Sequence, residues 1–192
     1  MGIPYAEVIG DPIAHSKSPL IHNFWLRRMN IVGDYRATRV KSGELADYLT
    51  ERRADPDWRG CNVTMPYKEV IAEHIDDVDP VARRIGAINT IVNQSAGFLI
   101  GTNTDFQGVH FALGDSPASN RKVVLLGAGG AARAVLEELR QAKPSSVTIL
   151  NRTEEKARGL LHRFDLEGET GPIAGAPSAD LLINATLLGM HG

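Results

Sequence analysis

The segment Gly127-Ala128-Gly129-Gly130-Ala131-Ala132 has a glycine spacing that suits phosphate binding. It follows the apolar run 123–126 and precedes a helical pattern over 132–141. In such a turn the first glycine permits the tight bend, the second lets a pyrophosphate approach the backbone, and a small residue at 132 lets the helix pack on the strand. The helix amino terminus adds N–H groups and the positive end of its dipole. The pattern predicts a dinucleotide site formed by Gly127, Ala128, Gly129, Gly130 and Ala131.

The end of the next apolar strand, 146–151, indicates which dinucleotide binds. Folds specific for NAD place a carboxylate about 20 residues after the glycines, where it binds the ribose 2′-hydroxyl. This chain has Asn151, Arg152 and Thr153 there, and Lys156 follows one helical turn later. A carboxylate would repel a 2′-phosphate, whereas a guanidinium matches it with a planar fork of donors. We therefore expect NADP. The alternative is that Thr153 only caps a helix beside a solvated Arg152.

Two polar turns in the first half hold candidate acid–base groups. Thr64 ends a strand, and Lys68 is expected in the first turn of a helix that begins at Pro66. The helix dipole opposes a cation at that end, which favours a general acid or base over a structural lysine. Asp105 lies at the junction of the two halves, where we expect it to hold the Lys68 ammonium and accept a substrate hydroxyl. A solvated lysine and a capping aspartate are the alternatives.

Further polar side chains occur at turns of the first half. The loop 10–19 exposes two hydroxyls, Ser16 and Ser18, and Ser18 followed by proline also has the pattern of a helix start. Asn89 supplies an amide at the start of a strand. His15 and His22 have no carboxylate or thiol beside them at a ligand spacing, so no metal site is expected.

Composition limits the possible partners. The chain has 192 residues, and 21 basic residues nearly balance 23 acidic ones. Without runs of like charge, neither nucleic-acid binding nor a polybasic membrane anchor is expected. No apolar stretch approaches the roughly 20 residues that span a bilayer, and the amino terminus lacks a signal-peptide pattern. The single cysteine, Cys61, excludes an intrachain disulfide. We expect a cytoplasmic protein with a small-molecule substrate, and no pattern indicates its oligomeric state.

Strand and helix patterns alternate along the chain, which predicts an α/β fold with mostly parallel pairing. In the first half we expect strands at 6–10, 35–40, 59–65, 90–93 and 98–101, and helices at 20–29, 42–53, 67–75, 80–85 and 106–113. Because a new βαβ run begins at Lys122, we expect a substrate domain over 1–103 and an NADP-binding Rossmann domain over 104–192. The second domain is expected to be incomplete after its third strand, so that 123–126 forms a bare edge.

The motifs resemble, in family order and over essentially the whole chain, the signature blocks of the shikimate dehydrogenase family. The blocks are 10–23, 62–68, 86–90, 103–108, 127–132, 151–153 and 184–190. The resemblance implies reversible reduction of 3-dehydroshikimate to shikimate by NADPH, a step of aromatic amino-acid biosynthesis. It implies that Lys68 and Asp105 form the catalytic pair. The implied substrate residues are Ser16 and Ser18 at the carboxylate end, and Thr64, Asn89 and Asp105 at the ring hydroxyls. The implied cofactor residues are Gly127, Ala128, Gly129, Gly130, Ala131, Asn151, Arg152, Thr153, Lys156 and Thr186.

Two features depart from the family pattern. The family's Asn-Ala-Thr-Ser block reads Asn184-Ala185-Thr186-Leu187, so Leu187 removes a hydroxyl near the expected cofactor edge. The family's remaining carboxyl-terminal part, which completes the nicotinamide pocket and returns to the first domain, is expected to be missing. The alternatives are a quinate or aminoshikimate dehydrogenase of the same family, and a truncated, non-catalytic remnant that binds a nucleotide or a partner protein.

Overall fold

The computed structural model describes residues 2–114, 118–175, 177–186 and 188–189. The chain divides into two units, Met1–Asn103 and Thr104–Gly192. Each unit has its own sheet and its own apolar core. The predicted α/β class is confirmed by this arrangement.

The first unit has a mixed sheet of six strands. The strands are β1 Tyr5–Gly10, β2 Asp34–Arg39, β3 Trp58–Val63, β4 Asp77–Val78, β5 Thr90–Asn93 and β6 Leu99–Thr102. Their order is β2-β1-β3-β5-β6-β4, and β5 runs antiparallel to both β3 and β6. The helices are α1 Ser18–Arg28, α2 Leu45–Ala54 and α3 Pro80–Ile85, with 3-10 turns at Tyr67–Glu69, Ile71–His74 and Ser95–Gly97. The two-residue strand β4 carries no sequence periodicity and was not predicted.

Local chemistry explains where α3 begins and ends. The Asp79 carboxylate accepts hydrogen bonds from the N–H groups of Val81 and Ala82, at 2.8 and 3.0 Å. Pro80 supplies the first helical residue, where no N–H is needed. Gly86 ends the helix in the left-handed conformation, with φ of 68°. The predicted helix 80–85 is therefore confirmed, and its end leads directly to Asn89.

A buried carboxylate links the core strands of the first unit to α2. Glu7 on β1 is 1% exposed. It accepts hydrogen bonds from the Thr38 hydroxyl at 2.8 Å, from the Arg52 Nε at 2.9 Å and from the Tyr48 hydroxyl. Burial, followed by the neighbouring Cys61 and Glu7, raises the pKa of Tyr48 well above its usual range. A buried charge is tolerated where its hydrogen bonds are satisfied, and this network meets that condition for Glu7.

The second unit has a parallel sheet of four strands. The strands are β7 Lys122–Leu126, β8 Ser146–Leu150, β9 Gly168–Gly171 and β10 Leu181–Asn184. Their order is β10-β7-β8-β9, with parallel pairing throughout. The helices are α4 Thr104–Leu113, α5 Gly130–Ala142 and α6 Glu154–Arg163. The core cluster consists of aliphatic and alanine side chains from β7, β8, α5 and α6, together with Ala118 and Phe164.

The predicted strand count of the second unit is wrong. The segment 168–171 forms β9, so Leu181–Asn184 is the fourth strand of this sheet and not its third. It lies on the other side of β7, pairing Leu182 with Val124 and Asn184 with Leu126. Strand β7 is therefore an inner strand and not a bare edge. The chain passes from β7 to β8 on one side and returns as β10 on the other, which makes the β7/β10 boundary a topological switch point.

No helix within the described residues combines the length and the apolar character needed to cross a membrane.

Candidate functional site

Four chain segments of the first unit meet at one edge of its sheet. Strands β1 and β3 end there, because their parallel register pairs Ile9 with Val63. Strand β5 begins there and β6 ends there, because the antiparallel register places Thr90 opposite both Asn62 on β3 and Thr102 on β6. Polar residues that are scattered along the sequence therefore lie at one edge.

The loop after β1 carries the two predicted serines. The helix α1 begins at Ser18 itself, with Lys17 at the capping position and no side-chain cap. The prediction that Ser18 caps this helix is thus wrong. Instead the Ser16 hydroxyl oxygen accepts the Ser18 N–H at 3.3 Å. Both serines are half-buried, and this contact holds the two residues together at the start of α1.

Thr64 and Lys68 follow β3 at the same edge. The Thr64 N–H donates to the Ile9 carbonyl at 3.0 Å, which fixes Thr64 beside the end of β1. Lys68 lies in the 3-10 turn Tyr67–Glu69 rather than in an α-helix. Two short 3-10 turns do not sum to a helix macrodipole, so the dipole argument for Lys68 was wrong. The Lys68 carbonyl accepts the Ile88 N–H at 2.7 Å, which ties this turn to the segment before β5.

Asn89 is the most buried of the predicted substrate residues, at 7% exposure. Its carbonyl accepts the Val63 N–H at 2.8 Å, and its N–H donates to the Thr102 carbonyl at 3.1 Å. The residue is thereby fixed between β3 and β6. Its side-chain oxygen accepts a hydrogen bond from the Thr90 hydroxyl at 2.9 Å. The sequence indicated Asn89 but not this orientation of its amide.

Asp105 lies in the first turn of α4 and is half-buried. It belongs to the second unit, whereas the preceding Asn103 is buried in the first, where its amide donates to the Ala87 carbonyl at 2.8 Å. Asn103 thus fixes the end of the first unit beside the segment that leads to Asn89.

The predicted glycine turn of the second unit has the geometry of a phosphate cradle. Gly127 has φ of 102°, and a Cβ on it would approach the Ala185 carbonyl oxygen to 3.0 Å. Only glycine accommodates both conditions. Gly129 occupies the capping position of α5 in an extended conformation, and a Cβ there would meet no atom within 4 Å. Ala132 is fully buried, as close packing of helix on strand requires. The residues therefore fit a pyrophosphate at the α5 amino terminus.

The segment 151–153 lies beside this turn. The parallel register pairs Leu126 with Leu150, and the Gly127 N–H donates to the Leu150 carbonyl at 2.8 Å. Arg152 and Lys156 are exposed. Thr153 is at the capping position of α6 but makes no side-chain cap; instead its carbonyl accepts the Asn151 amide at 2.8 Å. The alternative that Thr153 serves only as a cap is therefore not supported.

Acidic residues also occur near Arg152 and Lys156. Glu154 and Glu155 occupy the first turn of α6. The Glu154 carboxylate is bound by the Arg158 guanidinium at 2.8 Å and by the Thr170 hydroxyl at 3.0 Å. Because Glu154 has a cationic partner of its own, its repulsion of a nearby phosphate is reduced.

Thr186 follows β10, so the fourth strand of this sheet brings it to the glycine turn. A Cβ on Gly127 would approach the Thr186 methyl carbon to 2.9 Å. The Thr186 N–H and hydroxyl both donate to the Asn184 side-chain oxygen, at 3.0 and 2.6 Å. Leu187, which removes a hydroxyl near the expected cofactor edge, lies outside the described residues.

The first unit also has an apolar cavity of about 320 Å³, which is distinct from the candidate site. It lies between α1 and the β2 edge, with Trp25, Leu26 and Met29 in its wall. None of the predicted site residues lines it. Within the described residues no cluster of three metal-ligating side chains is present either. The described residues therefore offer two candidate places, each within its own unit: the polar strand edge of the first unit and the glycine turn of the second.

A parallel sheet with a glycine turn at its switch point, joined to an α/β unit with a polar strand edge, defines the class of two-domain dinucleotide-binding proteins. Family models refine this class. The shikimate dehydrogenase substrate binding domain matches residues 8–91, and shikimate / quinate 5-dehydrogenase matches residues 112–186. The chain belongs to the shikimate dehydrogenase family.

Individual relatives agree with this membership. A shikimate dehydrogenase (NADP(+)) of Sphingopyxis alaskensis is 53% identical over 190 residues, covering 98% of this chain and 69% of the relative. The crystal structure of shikimate 5-dehydrogenase from Thermus thermophilus in complex with NADP(H) and shikimate has a TM-score of 0.85 at 41% identity. It covers 96% of this chain and 69% of that one. A shikimate dehydrogenase in complex with NADP+ has a TM-score of 0.89 at 34% identity, with coverages of 98% and 68%.

Proposed function

We propose that this protein catalyses the reversible NADPH-dependent reduction of 3-dehydroshikimate to shikimate, in the pathway to aromatic amino acids. One observation carries the proposal. The segments that hold Ser16, Thr64, Lys68 and Asn89 lie at one edge of the sheet in the first unit. That unit matches the family's substrate domain. The core cluster of that unit is apolar and the buried Glu7 is already hydrogen-bonded, so this edge is where a polyhydroxylated acid finds hydrogen-bond partners.

Each residue at this edge has a role that follows from its chemistry. Ser16 and Ser18 offer hydroxyl donors to the substrate carboxylate, at the start of α1. Thr64 and Asn89 bind ring hydroxyls, since a hydroxyl and an amide can each donate and accept. Lys68 and Asp105 form the proposed catalytic pair. Asp105 accepts from a ring hydroxyl and stabilises the ammonium, and Lys68 delivers a proton to the developing alkoxide.

The second unit is proposed to hold the cofactor at the switch point. NADPH, when bound, supplies the hydride that reduces the ring carbonyl. The backbone of Gly127, Ala128, Gly129, Gly130 and Ala131 binds the pyrophosphate. Asn151, Arg152, Thr153 and Lys156 bind the 2′-phosphate end, and Thr186 borders the turn. Arg152 supplies the planar donor fork, whereas Lys156 contributes charge without bidentate geometry.

The buried Cys61 and the balanced charge agree with our proposal of a cytoplasmic location and a small-molecule substrate.

The test is an initial-rate assay of the purified chain, following NADPH absorbance. Shikimate and quinate are each compared with NADP and with NAD, and ligand binding is measured by calorimetry in parallel. We expect shikimate with NADP to give the highest kcat/KM. Faster oxidation of quinate would overturn the substrate assignment. Failure to bind either shikimate or NADP would overturn the proposal as a whole, and binding of both without hydride transfer would support the non-catalytic alternative.

A further inference from the structure

A chain of side-chain hydrogen bonds runs through the first unit from the edge strand β2 to Asn89. The Tyr35 hydroxyl donates to the Asn62 side-chain oxygen at 2.5 Å. The Asn62 amide nitrogen donates to the Thr90 hydroxyl oxygen at 3.0 Å. The Thr90 hydroxyl then donates to the Asn89 side-chain oxygen at 2.9 Å. We refer to Tyr35, Asn62 and Thr90 as the relay.

The relay has a single direction, because each member donates to the next. A phenol donates its one proton to Asn62, whose oxygen is thereby the acceptor and whose nitrogen is the donor. The Thr90 oxygen accepts from that nitrogen, so its own proton is directed towards Asn89. The order of donors from Tyr35 onwards thus determines which end of the Asn89 amide faces Thr90.

The first residue of the relay, Tyr35, is held in place by its neighbours. The Asn23 amide on α1 binds the backbone of Tyr35 twice, donating to its carbonyl at 2.8 Å and accepting its N–H at 2.9 Å. The Tyr35 ring is buried and stacks on His22, with centroids 4.1 Å apart. Burial, with smaller contributions from Cys61 and Glu7, raises the pKa of the Tyr35 phenol well above its usual range. The phenol therefore stays protonated and acts as a donor at neutral pH.

We propose that Tyr35, Asn62 and Thr90 are positioning residues that fix the orientation of the Asn89 amide for the substrate. With Oδ1 facing Thr90, the amide presents Nδ2 as its donor to the oxygen of a substrate hydroxyl. The inference rests on the proposed function, which assigns Asn89 to the substrate. It goes beyond that function because none of the three relay residues is assigned to the site. A partner in two orientations binds less tightly than a fixed one, so the relay contributes affinity without touching the substrate.

The first experiment removes the Thr90 hydroxyl, which is the last donor of the relay. Thr90→Val keeps the shape of the side chain but leaves Asn89 Oδ1 without the Thr90 donor. We expect the Kd for shikimate to rise by about tenfold and the Kd for NADP to stay the same. Thr90→Ser retains the hydroxyl and is expected to restore affinity for shikimate. Where turnover is measurable, the effect appears in KM and not in kcat.

The matched control removes a comparable hydroxyl outside the relay. The Thr38 hydroxyl donates to Glu7 at 2.8 Å, in the same unit. Thr38→Val is expected to lower the melting temperature while leaving the Kd for shikimate unchanged. If Thr38→Val and Thr90→Val weaken shikimate binding equally, the effect comes from general destabilisation and the proposal is wrong.

A second pair of variants tests the direction of the relay. Asn62→Asp keeps the size of the side chain, but a carboxylate only accepts, so it draws the Thr90 proton away from Asn89. We expect Asn62→Asp to weaken shikimate binding as much as Thr90→Val, although Thr90 is intact. Tyr35→Phe retains the buried ring and is expected to weaken binding by a smaller factor, which keeps the test valid should Thr90→Val not fold.

Measurements on the wild-type chain distinguish failure of the proposed function from failure of the relay. A wild-type chain that binds no shikimate contradicts the proposed function. A wild-type chain that binds shikimate, with Thr90→Val, Asn62→Asp and Tyr35→Phe binding it equally well, contradicts the relay alone.

Discussion

The two units present their candidate groups in different ways. In the first, the groups are side chains from separate segments, and buried hydrogen bonds fix at least Asn89 in place. In the second, the proposed phosphate cradle is a backbone turn between β7 and α5, with exposed cations on the neighbouring turn. A backbone cradle is formed by a few consecutive residues, whereas a side-chain site needs several strands in register. The cradle therefore depends on local structure, whereas the side-chain site depends on the tertiary structure.

The aromatic residues allow the two units to be observed separately. All four tyrosines and both tryptophans, Trp25 and Trp58, belong to the first unit. Trp58 is fully buried in that unit's core. Tryptophan fluorescence therefore reports on unfolding of the first unit, while circular dichroism reports on both.

The largest expected effect tests the side-chain site. Lys68→Ala removes the proposed proton donor and should lower kcat by about 10²- to 10⁴-fold, with shikimate still bound. Steady-state rates and calorimetry measure the two quantities. Lys41→Ala, which removes an exposed lysine after β2, is the control and should leave both unchanged. Unchanged kcat in Lys68→Ala would remove Lys68 from the catalytic pair.

The next effect tests the backbone cradle. Gly127→Ala forces a side chain into a positive-φ conformation and against Ala185, which should destabilise the second unit by about 3 kcal/mol and weaken NADP binding. Circular dichroism melts and NADP titration measure this. Gly159→Ala is the control: it lies in α6 with no atom within 4 Å of its Cβ, so it should stabilise the helix by about 0.5–1 kcal/mol. If shikimate affinity falls as far as NADP affinity, the cradle is not specific to the cofactor.

A smaller effect concerns the choice of cofactor. Arg152→Ala should weaken NADP binding by about tenfold, since a charged hydrogen bond at an exposed site is lost, and should leave NAD binding unchanged. The ratio of kcat/KM for the two cofactors measures it. Arg121→Ala, at the opposite end of β7, is the control. An equal loss for NADP and NAD in Arg152→Ala would contradict a 2′-phosphate contact.

The smallest expected effect is a pH dependence confined to the first unit. Burial and the hydrogen bond to Asp55 raise the pKa of Tyr5 to about 12, and burial raises those of Tyr35 and Tyr48 further. A raised pKa means that the protonated phenol stabilises the fold below pH of about 10, the unfolded value. For Tyr5 this contribution is lost as pH rises from about 10 through 12.

Urea unfolding followed by tryptophan fluorescence should show this loss in the first unit. Tyr5→Phe should make the free energy of unfolding less dependent on pH between about 10 and 12. An equally steep dependence in Tyr5→Phe would exclude Tyr5 as a contributor.

Elements with a strong local pattern were predicted correctly. The helix 80–85, the strand predicted at 146–151 and found at Ser146–Leu150, and the helix after the glycine turn depend on neighbouring residues alone. The local sequence therefore contains their cause. Strand β9 was missed because Gly-Glu-Thr-Gly has no apolar alternation, and its glycines and glutamate are depleted in strands. The segment is extended because it pairs with β8. The prediction of a helix at Lys68 was also wrong, because the segment 67–74 forms only two short 3-10 turns.

The sequence by itself determined the glycine turn, the cations that follow β8 and the types of residue that carry the proposed chemistry. Their physical basis is local: positive φ at Gly127, a helix amino terminus and side-chain functional groups. Only the tertiary structure decided that a fourth strand places Thr186 beside that turn. It alone brings Tyr35, Asn62 and Thr90 into line with Asn89. Strand order and hydrogen-bond direction arise from pairing between distant segments, which no spacing along the chain encodes.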